Sequence, residues 1–189
     1  RGFFYFWKMP FIINKSLIIE SLNWSTNLNA EHNTSQTVFT SDLVFAADNI
    51  TVKGVVISGA ARFTNALNMN VAKPTMQFCV VRNSTTNSGN TSWNAPFFFT
   101  TGDNFEITDL TILNCRIEDN SATRPMIATL TNVNGLTIKG CEFLAHQVNY
   151  NDGIKARIDG GENTAPNPSY GVKGNVTITG NHFEKYYQY

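Results

Sequence analysis

The densest group of ionisable side chains falls in the stretch NDGIKARIDGGEN, residues 151–163. Asp152, Lys155, Arg157, Asp159 and Glu162 stand close together there, in a chain with only 15% charged residues. Removing a proton beside a sugar carboxylate needs a cation or an Arg to neutralise that carboxylate. It also needs a base such as Lys, Arg or His. Lys155 and Arg157 supply the catalytic types, and Asp152 and Glu162 are candidates for holding substrate. The alternative reading of the same residues is an ordinary solvated loop.

Aromatic residues suggest a second kind of site. An exposed ring can stack on the apolar face of a sugar while neighbouring amides bond its hydroxyls. Trp93 and Tyr150 lie in Asn- and Ser-rich surroundings and are the candidates for such contacts. At least two of Phe97, Phe98 and Phe99 read instead as part of a buried strand. His32, His146 and His182 are too scattered for a histidine-based metal centre, and His182 is expected to face solvent.

Cys79, Cys115 and Cys141 pose the question of nucleophiles or metal ligands. An odd number at wide spacing is no disulfide framework, and no Cys-x-x-Cys pair is present. Each cysteine instead stands two residues before the end of a similar phrase: KPTMQFCVV, ITDLTILNCRI and VNGLTIKGCEF. GNVTITGNHF repeats the phrase with Asn181 at the cysteine's place, and GVVISGAAR fits in part with Ala60 there. The shared pattern is apolar-x-apolar-x-(Gly/Asn)-small-x-apolar, introduced by Asn-led turns near Asn49, Asn104, Asn132 and Asn175. Cys79, Cys115, Cys141 and Asn181 are therefore expected to form a structural stack of small buried residues.

The elements that must position these residues follow from the repeat. Period-two alternation, as in Leu110/Ile112 and Leu136/Ile138, predicts short strands with one face inward. The runs APFFFT (95–100) and RPMIAT (124–129) predict a further strand in two of the units. The spacings between anchors are 19, 36, 26 and 40 residues (60→79→115→141→181). Coils of roughly 20–30 residues, with loops inserted at about 24–37, 83–94 and 145–174, accommodate them. FIINKSLIIESLN (11–23) reads as an earlier coil.

Composition limits the remaining possibilities. Fourteen basic and fourteen acidic residues balance, which argues against a broad basic surface for nucleic acid. No apolar run is long enough to predict a membrane span. Seven Asn-x-Ser/Thr sequons occur, a number that an Asn- and Thr-rich chain partly reaches by chance.

DNITVKGVVISGA (48–60), NVNGLTIKGCEF (132–143) and GNVTITGNHFEK (174–185) resemble the coil repeats of pectate-lyase-like right-handed parallel β-helix proteins. NKSLIIES (14–21) is similar to their first coils. The resemblance implies an all-β chain: a right-handed, single-stranded parallel β-helix, or solenoid, of about six coils with inserted loops. Residues 1–189 would be one such domain or a fragment of a longer one. That superfamily includes polysaccharide lyases, polygalacturonases, phage tailspikes and non-catalytic adhesins.

A finer likeness is to the chondroitinase-B and alginate-lyase family. Asn151, Arg157-Ile158 and the Asn181-x-Phe183-Glu184 run follow that family's order. In that family the calcium-binding acids and the catalytic lysine come directly after this run; here Glu184 is a further candidate substrate contact, and Asn151 and Asp159 are candidate ligands of a Ca2+ ion. The sequence departs from the pattern where Asp159 interrupts an Arg-Ile-Gly triplet. The sequence reaches Tyr189 at the place where that family's Gly-Glu-x-Glu and Asn-Lys-Ser elements would begin, and the paired-Asp and His motifs of polygalacturonases and the Trp-x-Asp-His motif of pectate lyases are not found.

The expectation is accordingly a secreted or surface-displayed solenoid that engages polysaccharide or a cell-surface glycan without cutting it. It would serve in adhesion or attachment and would associate with itself as a trimer or fibre. The alternative is part of a polysaccharide lyase or tailspike depolymerase.

Overall fold

The computed structural model describes residues 10–22, 37–59, 61–63, 70–82, 98–99, 106–119, 128–129, 133–145, 158–159 and 172–184. Nineteen strands and no helix occur among these residues. Sheet 1 contains β1 (Phe11–Ile13), β4 (Leu43–Phe45), β7 (Ala61–Arg62), β11 (Phe98–Phe99), β14 (Ala128–Thr129) and β17 (Ile158–Asp159). Sheet 2 contains β2 (Ile18–Glu20), β5 (Thr51–Lys53), β9 (Thr75–Gln77), β12 (Ile107–Leu113), β15 (Val133–Lys139) and β18 (Val172–Thr179). The short β8 (Val71–Ala72) joins sheet 2 beside β12. Sheet 3 contains β3 (Val38–Phe39), β6 (Val56–Ser58), β10 (Val80–Arg82), β13 (Arg116–Asp119), β16 (Glu142–Ala145) and β19 (His182–Glu184).

The chain visits the sheets in the fixed rotation 1–2–3 and completes six rounds. Strands of successive rounds pair in parallel, so each strand lies on its counterpart from the round before. The protein is thus all-β, with parallel strands stacked in three sheets, an arrangement compatible with a β-helix.

Register makes the alternation of side chains explicit. In sheet 2, Ile19, Val52, Met76, Ile112, Ile138 and Ile178 are successive partners. In sheet 3, Phe39, Ile57, Val81, Ile117, Phe143 and Phe183 are successive partners. Members of both files join Leu43, Phe45 and Ala61 of sheet 1 in a single apolar core. Each fully buried aliphatic or aromatic side chain in such a core contributes about 1.5–3 kcal/mol relative to exposure. The ring of Phe183 stacks on Phe143 at 4.8 Å and 10°.

The corner between sheets 2 and 3 recurs with one conformation. Gly54, Phe78, Asn114, Gly140 and Gly180 all have φ between 49° and 65°. Three of them are Gly, which enters this left-handed region at no steric cost. A Cβ on Gly140 would come within 2.3 Å of the Asn114 side-chain oxygen, so the turn also needs the missing atom for space. Phe78 takes the same conformation against its preference and packs on Val56 and Val80 outside the main core.

The residue after each left-handed turn faces inward. Cys79, Cys115 and Cys141 fill that position in three successive rounds and are buried. Each thiol has two carbonyls within reach of its one proton: the nearer lies two residues back, at Gln77 O (3.2 Å), Leu113 O (3.3 Å) and Lys139 O (3.6 Å), and the other belongs to the round before, at Val52 O (3.6 Å), Met76 O (3.7 Å) and Ile112 O (3.7 Å). Asn181 continues the series, its Nδ2 donating to Ile138 O at 3.0 Å. Its Oδ1 accepts from Cys141 N at 2.8 Å. Thiol and amide therefore reach the equivalent carbonyl of the previous round, the amide with the shorter bond.

Two alignments made from sequence shift by register. The counterpart of Cys79 is Val55, because Val56 pairs with Val80 and Ile57 with Val81. Ala60, the residue expected there, lies outside the described residues. The first interval becomes 24 residues (55→79) in place of 19. The runs APFFFT and RPMIAT do supply paired strands, but Phe98 partners Ala128, one residue beyond the alignment of their prolines.

Replacing Asn181 with Ala leaves Cys141 N–H and Ile138 C=O without their side-chain partner. Asn181→Ala should cost about 1–3 kcal/mol in urea unfolding, with Asn181→Cys recovering part of the loss. Equal stability of the two variants would show that the corner bonds do not matter. Burial also pushes the Cys115 thiol well above its ordinary range and keeps it protonated. The native protein should resist an aromatic disulfide reagent at all three cysteines, each of which should react after denaturation.

Candidate functional site

With the core settled, function falls to the outward positions of the strands. Among the described residues, two outer faces carry regular polar groups. On sheet 2, Thr51, Thr75, Thr111, Thr137 and Thr177 are register partners through five successive rounds. Each alternates with a core residue, so its side chain stands on the outer face. The first four are half-buried by their neighbours and Thr177 is exposed. The result is a line of hydroxyl and methyl groups repeating at the strand spacing of about 4.7–4.9 Å.

A second outer file runs beside it: Glu20, Lys53, Gln77, Leu113, Lys139 and Thr179. Lys53 and Glu20 form an ion pair at 3.3 Å, while Lys139 stands exposed. At the other end of the strands, Glu106 links its own round to three others. Its backbone N–H donates to Asn70 Oδ1 at 2.9 Å, and its carboxylate meets Asn134 Nδ2 at 3.3 Å and Lys173 Nζ at 2.5 Å. Hydrogen bonding to Lys173, aided by its charge and by Asn134, holds the Glu106 carboxyl below the usual range against the opposing effect of burial.

The outer face of sheet 3 changes character along the stack. Val38, Val56 and Val80 come first in one file, followed by Arg116, Glu142 and His182. Ser58, Arg82, Glu118, Leu144 and Glu184 form the adjacent file. Arg116 engages the buried Glu118 through Nε and reaches Glu142 at 3.4 Å. His182 Nε2 lies 4.0 Å from Glu184 Oε2. This face carries the greater variety of ionisable groups, but its charges answer one another.

Of the residues singled out from sequence, Glu184 ends β19 on sheet 3, in register with Leu144. Asp159 lies in β17 on sheet 1, in register with Thr129. The two therefore belong to different sheets. Trp93, Tyr150, Asn151, Asp152, Lys155, Arg157 and Glu162 lie outside the described residues, as do His32 and His146. His182 is exposed on the outer face. Among the described residues no group of three or more His, Cys, Asp and Glu is placed to hold a metal ion. Nor is any helix there long and apolar enough to cross a membrane.

The threonine file was not singled out from sequence, although the signal is present in ITV, PTM, LTI, LTI and VTI. In the pattern apolar-x-apolar, the x before each core anchor is Thr in five rounds.

No family model, curated protein or solved structure matches the chain. The functional reading rests on these faces.

The Glu106–Lys173 contact sets a pH dependence of known sign. A carboxyl held low in the folded state adds stability above the ordinary carboxylate range and loses it as pH falls through the folded pKa. Because Lys173 is half-exposed, the contribution is at most about 1 kcal/mol. Lys173→Met should be less stable than the parent at pH 7, and the gap should close under acid. A gap of constant size across the titration would assign it to packing instead.

Proposed function

We propose that the chain is a right-handed, single-stranded parallel β-helix of the pectate-lyase-like kind that engages polysaccharide. It acts outside the cell, as a non-catalytic binding or attachment module. The observation that carries this reading is the five-round threonine file on the outer face of sheet 2. Its hydroxyls both donate and accept, as sugar hydroxyls do, and its methyl groups offer apolar contact to a ring face. Repetition at one strand per round suits an extended polymer, because successive units of the ligand meet equivalent groups. Each contact is weak, and binding strength comes from their number.

A polysaccharide lyase, or a tailspike depolymerase, is the second reading. It is favoured by the concentration of Arg82, Arg116, Glu142, His182 and Glu184 on the outer face of sheet 3. It requires that face to bring a base and a carboxylate-neutralising group to a uronate.

Affinity electrophoresis through neutral and acidic polysaccharides separates binding from its absence. Absorbance of unsaturated uronates, followed on alginate, chondroitin and pectate with and without Ca2+, separates binding from cleavage. The non-catalytic reading expects retardation without new absorbance. Replacing Thr75, Thr111 and Thr137 together by Val keeps the β-branched shape and removes three hydroxyls. At about 0.5–1.5 kcal/mol per hydrogen bond, affinity should fall at least tenfold with little change in unfolding midpoint. Undiminished retardation of this triple variant would remove the threonine file from the site.

A further inference from the structure

Cys79, Cys115 and Cys141 form a column of free thiols inside the core, one in each of three rounds. Arg116 N donates to Cys79 O and Glu142 N to Cys115 O, both at 2.9 Å, so these rounds follow one another directly. Each sulfur reaches the carbonyl two residues back and the equivalent carbonyl of the round before. Equivalent contacts mean equivalent rotamers. One sulfur is therefore carried onto the next by the strand spacing, about 4.7–4.9 Å, and Cys79 lies about twice that far from Cys141.

That spacing decides what the column can do. A disulfide needs Cβ atoms about 3.5–4.5 Å apart, closer than parallel strands bring equivalent positions. A disulfide between neighbours thus requires the backbone to move. A metal–thiolate bond is about 2.3 Å, so two such bonds in line span about 4.6 Å and match the gap between adjacent sulfurs. Among the described residues no three ligands converge, which leaves out ions that demand tetrahedral or octahedral coordination.

We propose that the column binds one soft cation in linear coordination, with Cys115 as one thiolate ligand and Cys79 or Cys141 as the other. The ligand class is the filled-shell ions that prefer thiolate and accept two donors, such as Cu+ and Hg2+. Binding is an exchange. Two S–H bonds break, two metal–sulfur bonds form, and both protons leave to water. With a divalent ion the product is neutral, which suits a core that contains Met76, Ile112 and Ile138. A monovalent ion leaves one negative charge there, which is costly to bury, so the divalent ion is preferred. Cys115 is indispensable because it alone has a cysteine in both adjacent rounds. Asn181 ends the column, since a carboxamide is a hard donor. This inference stands apart from the glycan reading, because it uses the inward side of the corner and no outer face.

Native mass spectrometry of the full chain tests it, with HgCl2 as the probe. The ion is supplied during refolding so that burial does not limit its entry, and excess monothiol then strips ions held by a single sulfur. The parent should gain the mass of one ion less two protons. Cys79→Ala and Cys141→Ala should each keep that gain, since one adjacent pair survives in either. Cys115→Ala should lose it, although two cysteines remain. Zn2+, which calls for four ligands, should leave every variant unloaded. The unfolding midpoint of the parent should rise with Hg2+, because the native column holds the ion. Equal losses in all three variants, full loading of Cys115→Ala, equal loading by Zn2+, or a midpoint that falls with Hg2+ would each overturn the proposal. Circular dichroism verifies folding, and Cys115→Ser, which keeps a small side chain able to donate to the same carbonyls, replaces Cys115→Ala if that variant misfolds.

Discussion

Parallel pairing between rounds is the constraint on which the structure depends. A strand that bonds to its counterpart from the previous round must adopt that counterpart's register, because a slip of one residue exchanges the inward and outward faces. Every inward position is thus repeated six or so times at the strand spacing, and one apolar choice has to suit the whole column. Sheet 2 meets this demand with Ile19, Val52, Met76, Ile112, Ile138 and Ile178. Variation along the chain is then displaced into segments between strands, which can lengthen without disturbing the columns.

The corners show how the same constraint selects residues for reasons other than apolar burial. A left-handed residue bends the chain from sheet 2 to sheet 3 and donates its N–H to the next round, as Gly54 does to Gln77 O and Asn114 to Lys139 O. The residue that follows is turned inward with a backbone N–H directed along the stack. Its side chain must be small enough for the core and able to donate to a carbonyl of the round before. Thiol and carboxamide both qualify, which is why Cys141 and Asn181 can occupy equivalent positions. The cysteines belong to the mechanics of the fold. Their repetition reflects geometry, and their burial removes them from surface chemistry.

The legible part of the fold was the part with enough residues per strand to show alternation. β12, β15 and β18 run for seven or eight residues, and their phrases align by eye. β7, β11, β14 and β17 have two residues each, too few to carry a period, so sheet 1 was visible only through its proline-led runs. The misplacement of Ala60 has a specific cause. Val55, Val56 and Ile57 are consecutive and apolar, and any of them can serve as an anchor. The Thr-x-Lys-Gly of residues 51–54, matching residues 137–140, fixes the register that hydrophobicity alone leaves open.

The site was less legible for a related reason. Sequence reading favours unusual residues, and the charged stretch 151–163 is unusual in this chain. A periodic scaffold presents function differently, through an ordinary residue repeated at a fixed place. Thr is common here, and its recurrence in one file becomes visible only after register assigns each round its partner. The outer face of sheet 3 makes the contrast: its charges are varied, yet Arg116 and Glu118 satisfy each other locally. A compact ligand would need several different groups converging on one point. A line of like groups at constant spacing instead favours an extended partner whose own repeat can follow the stack.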